Sequence, residues 1–189
     1  MVLGDPRPIE VTSARNVIRP TTTSWASQLA RHLLEAYRES IPQSVLDRAA
    51  MHTLDSIACA AGAFDAEPVS AARQVIAGSG PPVASVYFGG TMASTVDAVL
   101  VNGAAVRFLD ANDIYIGSVP GGHPSDNIVV GLAAGEEVGA NGRNVLAAIA
   151  LGYELVARIR TLLYRPSQRA HDWHEVSLSG TVAAAMAGS

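Results

Sequence analysis

Apolar residues recur every three to four positions through most of the chain, a period that predicts a helical fold. Ser24 suits the cap of a helix running to about Arg38, with Leu29, Leu33 and Tyr37 on one face. Pro42 suits the first turn of a second helix, with Leu46, Ala50, Leu54, Ile57 and Ala61 inward and Gly62 as its stop. A third helix is expected over about Pro68 to Ala77, ended by the breaker Gly78-Ser79-Gly80-Pro81-Pro82. Ala84 to Phe88 is β-prone and closed by Gly89-Gly90, which predicts one short strand. A fourth helix is expected from Ser94 to Asp110 and a fifth from about Pro124 to Gly139. The sixth spans Gly142 to about Leu163, with Val145, Ile149, Gly152, Tyr153, Val156 and Ile159 as an inward stripe. Its other faces are also apolar, so burial on all sides is expected. A last, small-residue helix begins around Ser177. Residues 1–23 carry three prolines, a threonine run and no apolar signal core, and are expected to form a loose arm. Residues 24–189 are expected to form one all-α helical domain.

Composition narrows the function. Only 16% of the 189 residues are charged against 49% apolar. So little charge leaves surface that is expected to be covered by a partner, either another protein chain or a second copy. A net charge of −4 offers no basic footprint, so nucleic acid is not an expected partner. No apolar run reaches the length of a membrane span. Every cationic side chain is arginine, so the chain cannot supply a lysine Schiff base or a lysine general base. The single Cys59 lies in an apolar helical run and reads as a packing residue. One cysteine forms no intrachain disulfide, which fits a reducing cytoplasm.

The candidate chemistry lies between the fourth and fifth helices. Asp110 and Asp113 are three apart, on one face if the helix continues, and they oppose the negative end of its dipole. Either acid could instead pair locally, for instance with Arg107. His123 follows a glycine-rich loop and precedes Pro124-Ser125, which predicts a histidine at a helix N-terminus. There the dipole favours the neutral imidazole that a general base requires, and the helix end attracts a substrate carboxylate. His171 and His174 flank Trp173 and could join such a site or remain exposed, whereas His32 and His52 read as structural. The stretch Asp110-Ala111-Asn112 lacks the glycine of a calcium loop, and the histidines lack zinc-like spacing. Gly78-Ser79-Gly80 lacks the third glycine of a dinucleotide loop, and no serine nucleophile elbow is present. No metal and no cofactor are therefore expected.

Taken together, the motifs resemble the MmgE/PrpD family of 2-methylcitrate dehydratases, cis-aconitate decarboxylases and iminodisuccinate epimerases. Leu54 to Gly62 resembles its early helix, and Asn102-Gly103-Ala104-Ala105 with Leu109-Asp110 and Asp113 resembles its "NGA…LDFDD" signature. His123-Pro124-Ser125 resembles its "HPS", Leu151 to Ile159 its "GYEV..RI" helix, and Trp173-His174 with Gly180 to Ala185 its "FH…G..AAA" stretch. The resemblance runs from about Trp25 onward and covers the family's N-terminal helical part.

The resemblance implies that Asp110, His123 and His174 are the active-site acid and histidines, with Asp113 and Ser125 at the substrate. It implies cofactor-free proton transfer on a small carboxylate, ending in loss of water or carbon dioxide or in epimerisation. Ala111, Asn112 and Ile114 stand where the family carries Phe, Asp and Thr, and the loop leading to His123 is longer. Family members are more than twice this length, their second half being an α+β lid domain that carries active-site lysines. The expectation is half of a split, cytoplasmic lyase completed by a second chain. The alternative is a noncatalytic scaffold or regulatory subunit.

Overall fold

The computed structural model describes residues 25–38, 40–76, 80–116 and 122–163. The chain divides between Ile41 and Pro42 into two compact units. The first contains α1, Trp25–Arg38. Leu29 and Leu33 are half-buried there, and Tyr37 of the expected stripe is exposed. Ser24, the proposed cap, lies outside the described residues, as do the N-terminal arm and the small-residue helix expected after Ser177.

The second unit holds α2 (Gln43–Gly62), α3 (Glu67–Val75), β1 (Ala84–Val86), β2 (Thr91–Ala93), α4 (Thr95–Phe108), α5 (Asp126–Glu137) and α6 (Gly142–Leu163). With six helices and a two-stranded hairpin among the described residues, the fold is all-α. Helix α4 lies at its centre, packed on α2, α3, α5 and the hairpin, while α6 packs on α2 and α5. No helix among the described residues is long and apolar enough to cross a membrane.

Pro42 sits one position earlier than its expected place in the first turn. Its backbone is extended, and its carbonyl accepts from Val45 and Leu46. The inward face of α2 is also rotated from the predicted one. Leu46, Ala49, Ser56, Cys59 and Ala60 are buried, whereas Ala50 and Ala61 are exposed and Leu54 is 70% exposed. Steps of four advance past one turn by roughly 40°, so a stripe built from them drifts off a straight contact. The small residues at 49, 56 and 60 let neighbouring helices approach, and size rather than hydropathy decides the face. Burial, with the nearby Asp55 carboxylate, pushes the Cys59 thiol pKa up, in keeping with a packing role.

Ser94 caps α4, its hydroxyl accepting from the Asp97 amide at 3.2 Å. The single predicted strand is the first arm of a hairpin, β1 pairing antiparallel with β2 in the register Ala84↔Ala93. Tyr87 and Phe88 belong to the turn, and Phe88 takes a left-handed backbone with φ of 58°. Asn102 of α4, 1% exposed, holds this turn from below. Its Oδ1 accepts from the Tyr87 amide and its Nδ2 donates to the Ser85 carbonyl, both at 2.9 Å. Asn102→Ala strands both backbone groups and is expected to cost about 2 kcal/mol in urea unfolding. A loss under a few tenths would show that the hairpin holds itself.

Among the described residues, α5 contributes to two apolar clusters. One joins Val69, Val86, Val101, Val106 and Val129 through a bed of alanines. The other centres on Ala49, Ile128 and Ile149, with Tyr153 packed against it. Helices α5 and α6 approach closely because α5 presents glycine. A Cβ on Gly131 would fall 2.9 Å from Ile149 Cγ1, and one on Gly135 would fall 2.6 Å from Val145 Cγ2. Helix α6 keeps its predicted span but is not buried all round, since Arg143, Asn144, Glu154 and Arg158 are exposed. A Glu154–Arg158 ion pair at 2.5 Å lies on that wet face.

Candidate active site

Helix α4 stops at Phe108, two residues short of the expected Asp110, because the chain turns left-handed there. Asp110 has φ of 51°, a conformation that costs a side-chain-bearing residue roughly 1 kcal/mol. Asp110 and Asp113 therefore do not share a helix face; both lie in the loop that follows.

Arg107, in the last turn of α4, organises that loop. Its Nη1 donates to Asn112 Oδ1 at 2.6 Å, and its Nη2 lies 3.3 Å from Asp110 Oδ1. Its Nε lies 3.6 Å from Asp126 Oδ1. Asn112 is 4% exposed and uses both ends of its amide, its Nδ2 donating to the Ser125 hydroxyl at 2.7 Å. An aspartate could not donate at that position, so the departure at residue 112 matches the bond it makes.

His123 is not the helix cap. Ser125 holds that position, and its hydroxyl, taken by Asn112, caps no amide. The Ser125 amide donates to Asp113 Oδ1 at 3.2 Å, and the next three amides bond to His123, Pro124 and Ser125 carbonyls. The anion site expected at this helix end is thus filled from within the chain. Ser125 is 1% exposed, so its hydroxyl faces the interior.

The His123 ring is instead fixed by the loop. Its Nδ1 lies 2.7 Å from the Asp113 carbonyl oxygen. A carbonyl only accepts, so Nδ1 carries the proton, and in the neutral ring Nε2 carries the lone pair. That nitrogen lies 3.8 Å from Asp110 Oδ1, and the His123 side chain is 18% exposed. A base with a free nitrogen, a carboxylate beside it and its tautomer set from behind is equipped to accept a proton.

Two further groups border the site. Asp126 is half-buried with Oδ1 fully enclosed and unbonded. Burial raises its pKa, Arg107 and His123 pull it down, Asp113 pushes it up, and the net direction is up. Asp126 therefore ionises later in the folded chain than in the unfolded one. Stability falls as pH rises from the ordinary carboxylate value of about 4 through the folded one. Asp126→Asn is expected to remove that slope and to melt no lower than the parent at neutral pH. A slope that survives in acid-to-neutral melts would place its origin elsewhere. The second group is Tyr153 of α6, whose hydroxyl is buried and has no hydrogen-bond partner of normal geometry. Burial first, then the Asp113 carboxylate, push its pKa well above the usual range for a tyrosine.

A profile of the MmgE/PrpD N-terminal domain matches residues 27–189. The chain belongs to the MmgE/PrpD family. The MmgE/PrpD signature pieces at Asp110, Asp113 and His123-Pro124-Ser125 are thus brought together on one loop and the start of α5. His174 lies outside the described residues. Among those residues, no three or more His, Cys, Asp or Glu side chains gather as a metal would require. Residue type and spacing mark Arg107 only as a local partner and Tyr153 as core, and they assign Asp126 no role. Arg107 stands one helical turn before Asp110, a spacing that could have marked it. Nothing in the sequence marked Tyr153, because its neighbours on the inward stripe are packing residues.

Proposed function

We propose that this chain is one half of an MmgE/PrpD-type lyase, in which His123 Nε2 moves a proton on a small carboxylate substrate. The observation that carries the proposal is the bond from His123 Nδ1 to the Asp113 carbonyl, which leaves Nε2 free beside Asp110. Asp110 stabilises the imidazolium once the proton has arrived, and His174 supplies the second histidine of the family pattern. Asp113 and Ser125 hold the loop and the base through their bonds to each other and to Asn112. Any contact they make with substrate requires the loop to open. In a dehydration the electron pair of the broken C–H bond forms the double bond as the neighbouring C–O bond breaks, and the oxygen takes up a proton from the histidine pair and leaves as water; in a decarboxylation the bond to the carboxylate breaks, carbon dioxide leaves, and a histidine returns its proton to the carbon left behind.

The charge balance calls for a partner. Asp110 and Asp126 flank one guanidinium that is already engaged, Asp113 lies on the same loop, and the sequence holds no lysine. A di- or tricarboxylate is repelled by such a surface until cations arrive from outside this helical domain, and in the split reading a second chain bearing lysines brings them. Co-expression with the products of neighbouring genes, followed by native mass measurement, tests this. Capture of a chain with a lysine-bearing lid domain is expected. Self-assembly alone would count against it and favour a noncatalytic subunit, a reading that the inward-facing Ser125 also supports.

Asp110→Gly separates function from folding. Glycine relieves the left-handed backbone and loses only exposed pairings with Arg107 and, across 3.8 Å, with His123, the carboxylate being 74% exposed. Its melting temperature is expected to hold or rise by a few degrees while turnover of the completed enzyme is lost. A clear drop in stability would assign Asp110 to the architecture.

A further inference from the structure

One buried amide spans the loop between α4 and α5. Of residues 109–114, Asn112 alone is buried, while Leu109, Asp110, Ala111 and Ile114 are exposed and Asp113 is half-buried. Burying an amide is costly unless both of its ends find partners. Here both do, one on each helix. Its Oδ1 accepts from Nη1 of Arg107, in the last turn of α4, at 2.6 Å. Its Nδ2 donates to the hydroxyl of Ser125, the residue before α5, at 2.7 Å. Two more bonds carry the chain of contacts to the base. The Ser125 amide donates to Asp113 Oδ1 at 3.2 Å, and the Asp113 carbonyl lies 2.7 Å from His123 Nδ1. Asp113 follows Asn112 directly, so the crosslink holds the same peptide that holds the ring.

We propose that Asn112 is a positioning residue of this site: its amide ties α4 to α5 at the width that brings the Asp113 carbonyl onto His123 Nδ1, and so fixes which ring nitrogen is free. The inference rests on the functional reading of His123 given above. An amide suits the task because it both accepts and donates, whereas the guanidinium can only donate. It also holds Arg107 without a charge of its own. The guanidinium charge is left to Asp110 and Asp126, whose carboxylates lie 3.3 and 3.6 Å away. A base whose supports are themselves buried and bonded keeps its aim when solvent or substrate moves around it.

The test reads the tautomer by long-range proton–nitrogen NMR of the histidines in the full-length chain, above neutral pH and without substrate. In the parent, His123 is expected to show a protonated Nδ1 and a bare Nε2. Two variants cut the crosslink from opposite ends. Asn112→Ala removes the amide. Ser125→Ala removes the hydroxyl it bonds and keeps the backbone N–H that Asp113 accepts. Each is expected to turn the His123 signals into the averaged pattern of mixed tautomers. The double variant should shift them no further than the larger single change, because both cut one link. Asn102→Ala serves as the control, since it removes another buried, doubly bonded amide, the one beneath the hairpin. It should leave the His123 pattern as in the parent. If Asn112→Ala does not fold, Ser125→Ala decides alone. An unchanged His123 pattern in either folded variant would overturn the proposal. So would additive shifts in the double variant, or the same change in Asn102→Ala, which would reduce Asn112 to a contributor to general stability. Turnover is not involved, so failure of the lyase reading shows separately, as activity of the completed enzyme surviving loss of His123.

Discussion

His123→Ala is expected to lower kcat of the completed enzyme by about 10²–10⁴-fold, the usual contribution of a positioned general base. The fold should hardly notice. The side chain is 18% exposed and makes one hydrogen bond, to a loop carbonyl that water can satisfy once the ring is gone. The melting temperature should stay within a few degrees of the parent. His123→Gln sharpens the result. Its amide nitrogen can still donate toward Asp113, but it offers no basic lone pair, so the loop stays closed and turnover stays lost. Activity surviving either change would remove His123 from the chemistry, and a collapse in stability would give it to the fold.

The largest effect on stability is expected from Gly131→Val. A Cβ alone would come within 2.9 Å of Ile149 Cγ1, and Ile149 is 0% exposed with Ile128 packed behind it. Neither can move away without opening the core, so overpacking of about 3 kcal/mol or more is expected. Gly131→Ala is milder, because roughly 1 kcal/mol of helix propensity offsets part of the clash. Gly135→Val should cost less than Gly131→Val, although its nearest contact is shorter at 2.6 Å, because Val145 is only half-buried and can yield. Urea unfolding checks the ranking: the midpoints should fall in that order with the slopes unchanged. A Gly131→Val chain as stable as the parent would mean that α5 and α6 stand further apart.

The readable parts of this sequence were those where one local rule had no competitor. Helix α6 begins at Gly142 and ends at Leu163 as its period predicts, and α4 begins beside a serine cap. Where tertiary contact decided, the pattern misled. Leu54 looks inward by hydropathy but lies outside, because Ala49, Ser56 and Ala60 make the close contact. The strand Thr91–Ala93 is too short and too close to the α4 cap to show as a period. In the site, Asp110 and His123 could be named from residue type and order, but not how they are held. The left-handed turn at Asp110 goes with the bonds of the loop that follows it, which residue type and order do not show.

The loop between Asp113 and His123 is closed at its neck. The Tyr115 amide donates to the Gly122 carbonyl at 3.0 Å, and the His123 ring reaches back to the Asp113 carbonyl. A buckle of this kind uncouples what lies beyond it from what lies behind it. Residues added past Tyr115 lengthen an already closed ring, at about 0.6 kcal/mol for each doubling. They do not change where the histidine points. Relatives could therefore differ in the length of this segment and still hold the histidine in one orientation, and an epitope or a fluorescent reporter could be spliced in there. The segment is a place where the chain can lengthen without redrawing the neck that holds His123.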